Sequence, residues 1–236
     1  MALSNSVIGI LVISTALISA QAADGPLELP LPAGVKAVWD TDKAFHETTP
    51  TRERICLNGL WAWQPGKADA DAAPVKGWGA FKVPGAWPGR GDYMMKDSQT
   101  VFREATWKDV NLSNVSAAWY QRDFSVPKQW TGRTIALHAD YLNSFATVFI
   151  DGKVTGHLYF PGGELDITSV CTPGEKHVLT LLVVAIPLNT VMKSYSDSNA
   201  PKDVKDVQVA LRGLCGDVFV SGTPAGAAVE DVKINT

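Results

Sequence analysis

The sequence lacks most of the features that would announce a chemistry. Cysteine is scarce. Only Cys56, Cys171 and Cys215 occur, and no C-x-x-C pair exists to support a zinc site. An odd count leaves two readings open, a Cys171–Cys215 disulfide or buried free thiols. No run of basic residues appears and the net charge is −3, which argues against a nucleic-acid surface. There is no G-x-S-x-G, no H-E-x-x-H and no phosphate-cradling G-x-x-x-x-G-K. The four histidines, His46, His138, His157 and His177, are scattered, and each reads as a surface or strand residue rather than a ligand. No metal or cofactor is expected. Carboxylates are plentiful, so counting does not exclude an acid and nucleophile pair, and spacing alone does not show whether two lie about 5 Å apart. Internal repeats and low-complexity tracts are absent. Crossover helices are missing too, which excludes a parallel α/β sheet.

What is present is alternation. Across residues 117–168 the chain reads A-A-W-Y-Q-R-D-F-S-V-P, T-I-A-L-H-A-D-Y, S-F-A-T-V-F-I-D-G-K-V-T-G-H-L-Y-F and G-G-E-L-D-I-T. Each block has the period of two that a half-buried strand requires. Asp151–Gly152 sits between two such runs and predicts a tight hairpin turn. Further on, H-V-L-T-L-L-V-V-A-I-P from His177 is nearly all apolar, the pattern of a strand buried on both faces. Short strands separated by turn signals predict an all-β, antiparallel sandwich or jelly roll. The eight tryptophans suit both a core and sugar-stacking surfaces, with packing the commoner role.

Taken in order, residues 7–20 form an apolar run followed by the small-residue site Ala20-Gln21-Ala22. This reads as a signal peptide over 1–22, placing the mature protein outside the cytoplasm, periplasmic or extracellular, and off the membrane once cleaved. The run is short for a bilayer span, though it carries no charge ahead of it beyond the amino terminus, so an uncleaved anchor is the alternative. Residues 23–51, rich in proline and leucine at the start, form an extended lead-in. R-E-R-I-C-L-N-G-L-W-A-W-Q-P from Arg52 is expected to be one core strand. Residues 65–79 are expected to be an exposed, mobile loop, and Phe81-Lys82-Val83-Pro84 a short strand ended by its proline. Two long polar excursions, 85–115 and 188–211, show little alternation, and loops of such length are usually functional. Only the signal segment and residues 202–211 have any helical character. R-G-L-C-G-D-V-F-V-S-G-T-P is expected to return as a strand.

Six blocks in this order are similar to a known family. They are L-N-G-L-W (57–61), V-P-G-A-W (83–87), W-Y-Q-R-D-F-S-V-P (119–127), V-F-I-D-G-K-V-T-G (148–156), E-L-D-I-T (164–168) and G-L-C-G-D-V-F-V (213–220). Together they resemble the N-terminal sugar-binding domain of glycoside hydrolase family 2, the family of β-galactosidases, β-glucuronidases and β-mannosidases. The resemblance implies a galactose-binding-like jelly roll over 52–224, with residues 225–236 opening a second, immunoglobulin-like module. A TIM barrel carrying two catalytic glutamates follows in the family. A barrel needs on the order of 250 residues, and the family's Asn-Glu dipeptide does not occur here. No catalytic residue is therefore expected within these residues. The chain departs from the family pattern at Gln121, for the first arginine of its W-Y-R-R block, and at Gly216, for its usual arginine in the last block.

In related β-galactosidases two loops of this domain reach the sugar pocket. The matching residues here are Gln99, near Tyr93 and Asp97, in the first excursion, and Asp206 in the second. The function implied is a non-catalytic, sugar-binding part of an exported glycosidase, whose partners are a carbohydrate and the further sandwich and barrel of the same protein. The alternative is a free-standing carbohydrate-binding module that stacks sugars on Trp87, Tyr93 and Trp107. A purely structural sandwich fits the fold but leaves the long polar loops without a role.

Overall fold

Asp151 and Gly152 both take positive φ, 49° and 76°, which makes the predicted hairpin a type I′ turn. It joins β9 (Phe145–Ile150) to β10 (Lys153–Tyr159). The computed structural model describes residues 46–49, 52–88, 101–186 and 211–226. Within them lie β1 (His46–Thr48), β2 (Glu53–Cys56), β3 (Gly59–Pro65), β4 (Gly79–Val83), β5 (Val101–Phe102), β6 (Ala117–Ser125), β7 (Arg133–Ala139), β8 (Leu142–Asn143), β11 (Gly163–Asp166), β12 (Lys176–Val184), β13 (Gly213–Leu214) and β14 (Val218–Pro224). Three short 3-10 turns cover Ala105–Trp107, Leu112–Asn114 and Lys128–Trp130. The described residues contain no α-helix.

All strand pairs are antiparallel. One sheet runs β1-β2-β14-β7-β11, the other β10-β9-β12-β6-β3-β4-β5, and β13-β8 forms a small ribbon. The inner faces of the two large sheets share one core, from Ile55, Ile135, Leu137 and Val220 on one side to Trp61, Trp63, Tyr120, Leu181 and Val183 on the other. This is the all-β, antiparallel sandwich that the alternation predicts.

The segment expected to be one strand from Arg52 is two. β2 pairs with β14 in the first sheet, whereas β3 pairs with β4 and β6 in the second. Leu57 and Asn58 carry the chain across, with Leu57 fully buried and its N–H bonded to the Val218 carbonyl. The apolar pattern continues through the crossing because both halves face the same core. The last strand divides likewise into β13 and β14, and β1 and β5 add edges where none was expected.

β12 is buried on both faces, as its composition predicts. Leu179, Leu181 and Val183 enter the main core, while Leu182 and Val184 join a second cluster with Trp119, Phe149 and Trp78. The cover over that second cluster comes from the 65–79 loop, which was expected to be free. Ala70 and Ala73 pack there and Trp78 is buried, though Val75 remains 80% exposed. Of the loop's alanines Ala70 and Ala73 turn inward, while Ala68 and Ala72 stay exposed with Lys67, Asp69 and Asp71.

Gly222 marks a close approach: a Cβ there would sit 2.4 Å from the Trp130 ring. Trp130 is fully buried and its indole N–H donates to Glu53. Gly222→Ala is therefore expected to cost about 1–3 kcal/mol through overpacking, read as a lower urea midpoint. An unchanged midpoint would show that Trp130 has room to move.

Candidate functional site

The long excursions depart from and return to one end of the sandwich. There the Gly85 and Trp87 N–H groups donate to the Leu214 and Arg212 carbonyls, and Gly213 and Leu214 pair with Asn143 and Leu142. The Ala185 N–H donates to Ser116, and the Ile186 N–H to the Ser144 hydroxyl. Thus Pro88, Val115, Ile186 and Leu211, at the borders of the two excursions, are tied to one framework.

Arg212 is its centre. The guanidinium is buried, donates to the carbonyls of Val115 and Pro88, and lies over the Trp87 ring. One side chain therefore joins both ends of the first excursion to the exit of the second. Below it, the Trp87 indole donates to the Tyr120 hydroxyl, and burial pushes that phenol above its ordinary pKa. Gly213 has φ 105°, and a Cβ there would meet Trp87 Nε1 at 2.7 Å and the Tyr120 hydroxyl at 2.8 Å. Only glycine fits that position.

The expected sugar-reading residues Tyr93, Asp97, Gln99 and Asp206 lie outside the described residues. Two of the three expected stacking residues are corrected. Trp87 is buried beneath Arg212, and Trp107 packs edge-on against Trp63 at 5.4 Å with its indole N–H donated to Gly77. Neither ring is free to meet a ligand. Among the described residues the exposed aromatics are Tyr159 at 63%, the last residue of β10, and Phe160 at 55%, in the turn that follows it.

The first histidine of note is structural. The buried His177 ring accepts from the Thr172 N–H through Nε2, which leaves Nδ1 to donate to Asp151 at 2.7 Å. Asp151 Oδ1 also accepts from the Val178 N–H. The aspartate of the turn thus ties the hairpin to the start of β12.

A second histidine has the outline of a nucleophilic triad. Ser221 Oγ is 2.7 Å from His138 Nε2, and His138 Nδ1 is 3.6 Å from Glu164. The surroundings refuse that chemistry. Ser221 is buried in mid-strand, and β14 is paired on both sides, which commits its N–H groups to the ladders and leaves no oxyanion hole there. The imidazole instead stacks on Phe219 at 4.4 Å, whose other partner is the Arg54 guanidinium at 4.5 Å.

All three cysteines are free, which decides against the disulfide reading. Burial pushes the Cys171 and Cys215 thiols up to about 12, far from a reactive thiolate. Among the described residues no group of three His, Cys, Asp or Glu could hold a metal ion.

Two predictions follow from this end of the sandwich and its neighbouring sheet. Arg212→Met removes charged donors from the Pro88 and Val115 carbonyls and is expected to cost about 1.5–3 kcal/mol in chemical denaturation; a loss within error would deny the arginine its bracing role. Burial holds the His138 pKa below the ordinary 6.5, against the opposing pull of Glu164. The unfolded chain then takes up a proton that the folded chain resists, so this contribution is complete above 6.5 and is lost as pH falls through the folded value. His138→Gln is expected to flatten the acid slope of stability relative to the unsubstituted chain, and parallel curves would exclude it.

No family model matches the chain. It is 27% identical to the β-glucuronidase of Rattus norvegicus over 161 residues, 64% of this chain and 23% of that protein. With the β-glucuronidase of Paenibacillus borealis it shares 27% over 153 residues, 59% of this chain and 22% of that one. Among solved structures, the β-glucuronidase of Ruminococcus gnavus with uronic deoxynojirimycin superposes with a TM-score of 0.55 at 17% identity, over 77% of this chain and 31% of that one. The Bifidobacterium dentium β-glucuronidase complexed with coumarin-3-O-glucuronide gives 0.54 at 20%, over 77% and 31%. The chain spans about a quarter of the length of these curated relatives and about a third of the solved chains. Fold and relatives together bear out the resemblance that the six blocks carry, to the glycoside hydrolase family 2 enzymes of the β-glucuronidase type.

Proposed function

We propose that this chain supplies the N-terminal, non-catalytic sugar-binding sandwich of an exported family 2 glycosidase, working with further domains of the same protein. The observation that carries the reading is the convergence of both excursions on Arg212. Two segments rooted on one guanidinium can serve one site, and those segments contain Tyr93, Asp97, Gln99 and Asp206. The relatives' shared name supports a glycosidic substrate, and their greater length supports a catalytic unit beyond the aligned region. Within that assembly the sandwich positions the loops and the barrel performs hydrolysis. The glycoside whose cleavage it assists is a carbohydrate with the sugar ring presented at the loop end.

Three measurements test this. The chain as it stands is expected not to hydrolyse nitrophenyl β-glucuronide or β-galactoside; robust turnover would overturn the non-catalytic assignment. Export predicts a mature amino terminus at Ala23 when the protein is recovered outside the cytoplasm, and an intact Met1 there would refute cleavage. Reading the coding sequence downstream tests the wider assembly, since an immediate stop with no barrel following would remove it.

A further inference from the structure

β10 is the outer strand of the seven-stranded sheet, and its bordering rows on the outer face are unlike the rest of that face. Register pairs Tyr159 with Phe145 and, one row along, His157 with Thr147. Two-residue spacing places these rows about 7 Å apart. Tyr159 is 63% exposed, while Phe145 is half-buried and packed against the second apolar cluster. His157 lies beside Tyr159, with ring centroids 6.2 Å apart. Neither the His157 imidazole nor the Thr147 hydroxyl has a hydrogen-bond partner among the described residues. Ala70 and Ala73 of the 65–79 loop pack on the same cluster as Phe145.

We infer that this shelf binds a pyranose unit of a glycan, as a subsite on the outer sheet face at the margin of the loop end, where Phe145 follows Ser144. The inference rests on the proposed sugar-handling role. A pyranose ring has one apolar C–H face and a rim of hydroxyls. The shelf offers the complement: an aromatic row for the face, and an imidazole and a hydroxyl one row away for the rim. Tyr and Phe give the contact with little rotamer entropy to lose. Addition of a protein strand to the same edge is opposed by the bulge between Val154 and Gly156, which interrupts the run of edge groups, and by Lys153 at the strand start. Phe160 is not part of the shelf. It pairs edge-on with Tyr141 at 5.7 Å instead.

The test is titration of the full chain with methyl β-galactoside, methyl β-glucuronide and cellotetraose, followed by saturation-transfer NMR and by the aromatic ring signals. Saturable binding of at least one probe with shifts at Tyr159 is expected. Tyr159→Ala and His157→Ala, both at exposed positions that the core does not need, are expected to weaken it roughly tenfold, and Phe160→Ala to leave it unchanged. Binding that survives both shelf substitutions, or is lost only in Phe160→Ala, overturns the shelf and leaves the loop-end reading standing. Absence of saturable binding for every probe also overturns it, whereas failure of the wider role is read separately from the downstream coding sequence.

Discussion

The nine-pair ladder between β6 and β12, from Ala117↔Val184 to Ser125↔Lys176, is the constraint on which the rest depends. It is the middle of the larger sheet, and each of its strands has a second partner, β3 on one side and β9 on the other. Because the side-chain period is two, a slip of one residue would move Leu181 and Val183 out of the main core and Thr180 into it. Burial on both faces penalises such a slip twice, once under Trp61 and Trp63 and once under the 65–79 loop. The loop is therefore part of what holds register.

One exception sits within this ladder. Arg122 points to the core side, where its guanidinium donates to the Leu60 carbonyl and lies 6.0 Å from the Trp61 ring. Burial lowers its pKa to about 10, which keeps it charged at neutral pH. A charge in that position is tolerable because carbonyl and aromatic partners replace part of its hydration. Arg212 solves the same problem at the loop end, by satisfying carbonyls at both ends of the first excursion. Both arginines thus stabilise backbone groups at places where the ladders stop.

That division separates the scaffold from the surfaces proposed to meet a ligand. The inner faces are closed by aromatic packing among Trp61, Trp63, Phe81 and Tyr120, and the triad-like Ser221, His138 and Glu164 are held in a flat ladder with no hole for a developing charge. In the proposed role, recognition falls to the loop end and to the sheet corner where Tyr159 and His157 are exposed. Trp87 and Trp107 show why a loop tryptophan is a poor guide to a sugar platform: each is drawn inward to cover the roots of the loop it belongs to.

By itself the sequence determined the fold class, the Asp151–Gly152 hairpin and the doubly buried β12, because these follow from period, turn chemistry and local composition. It also carried the ordered blocks that the relatives bear out. The crossing at Leu57–Asn58, the covering role of residues 65–79 and the burial of Trp87 and Trp107 were decided only in three dimensions. An apolar run does not reveal which sheet it joins when both sheets face one core. Nor does spacing reveal that Arg212 meets Pro88 across 124 positions, since that contact exists only once the sandwich has closed.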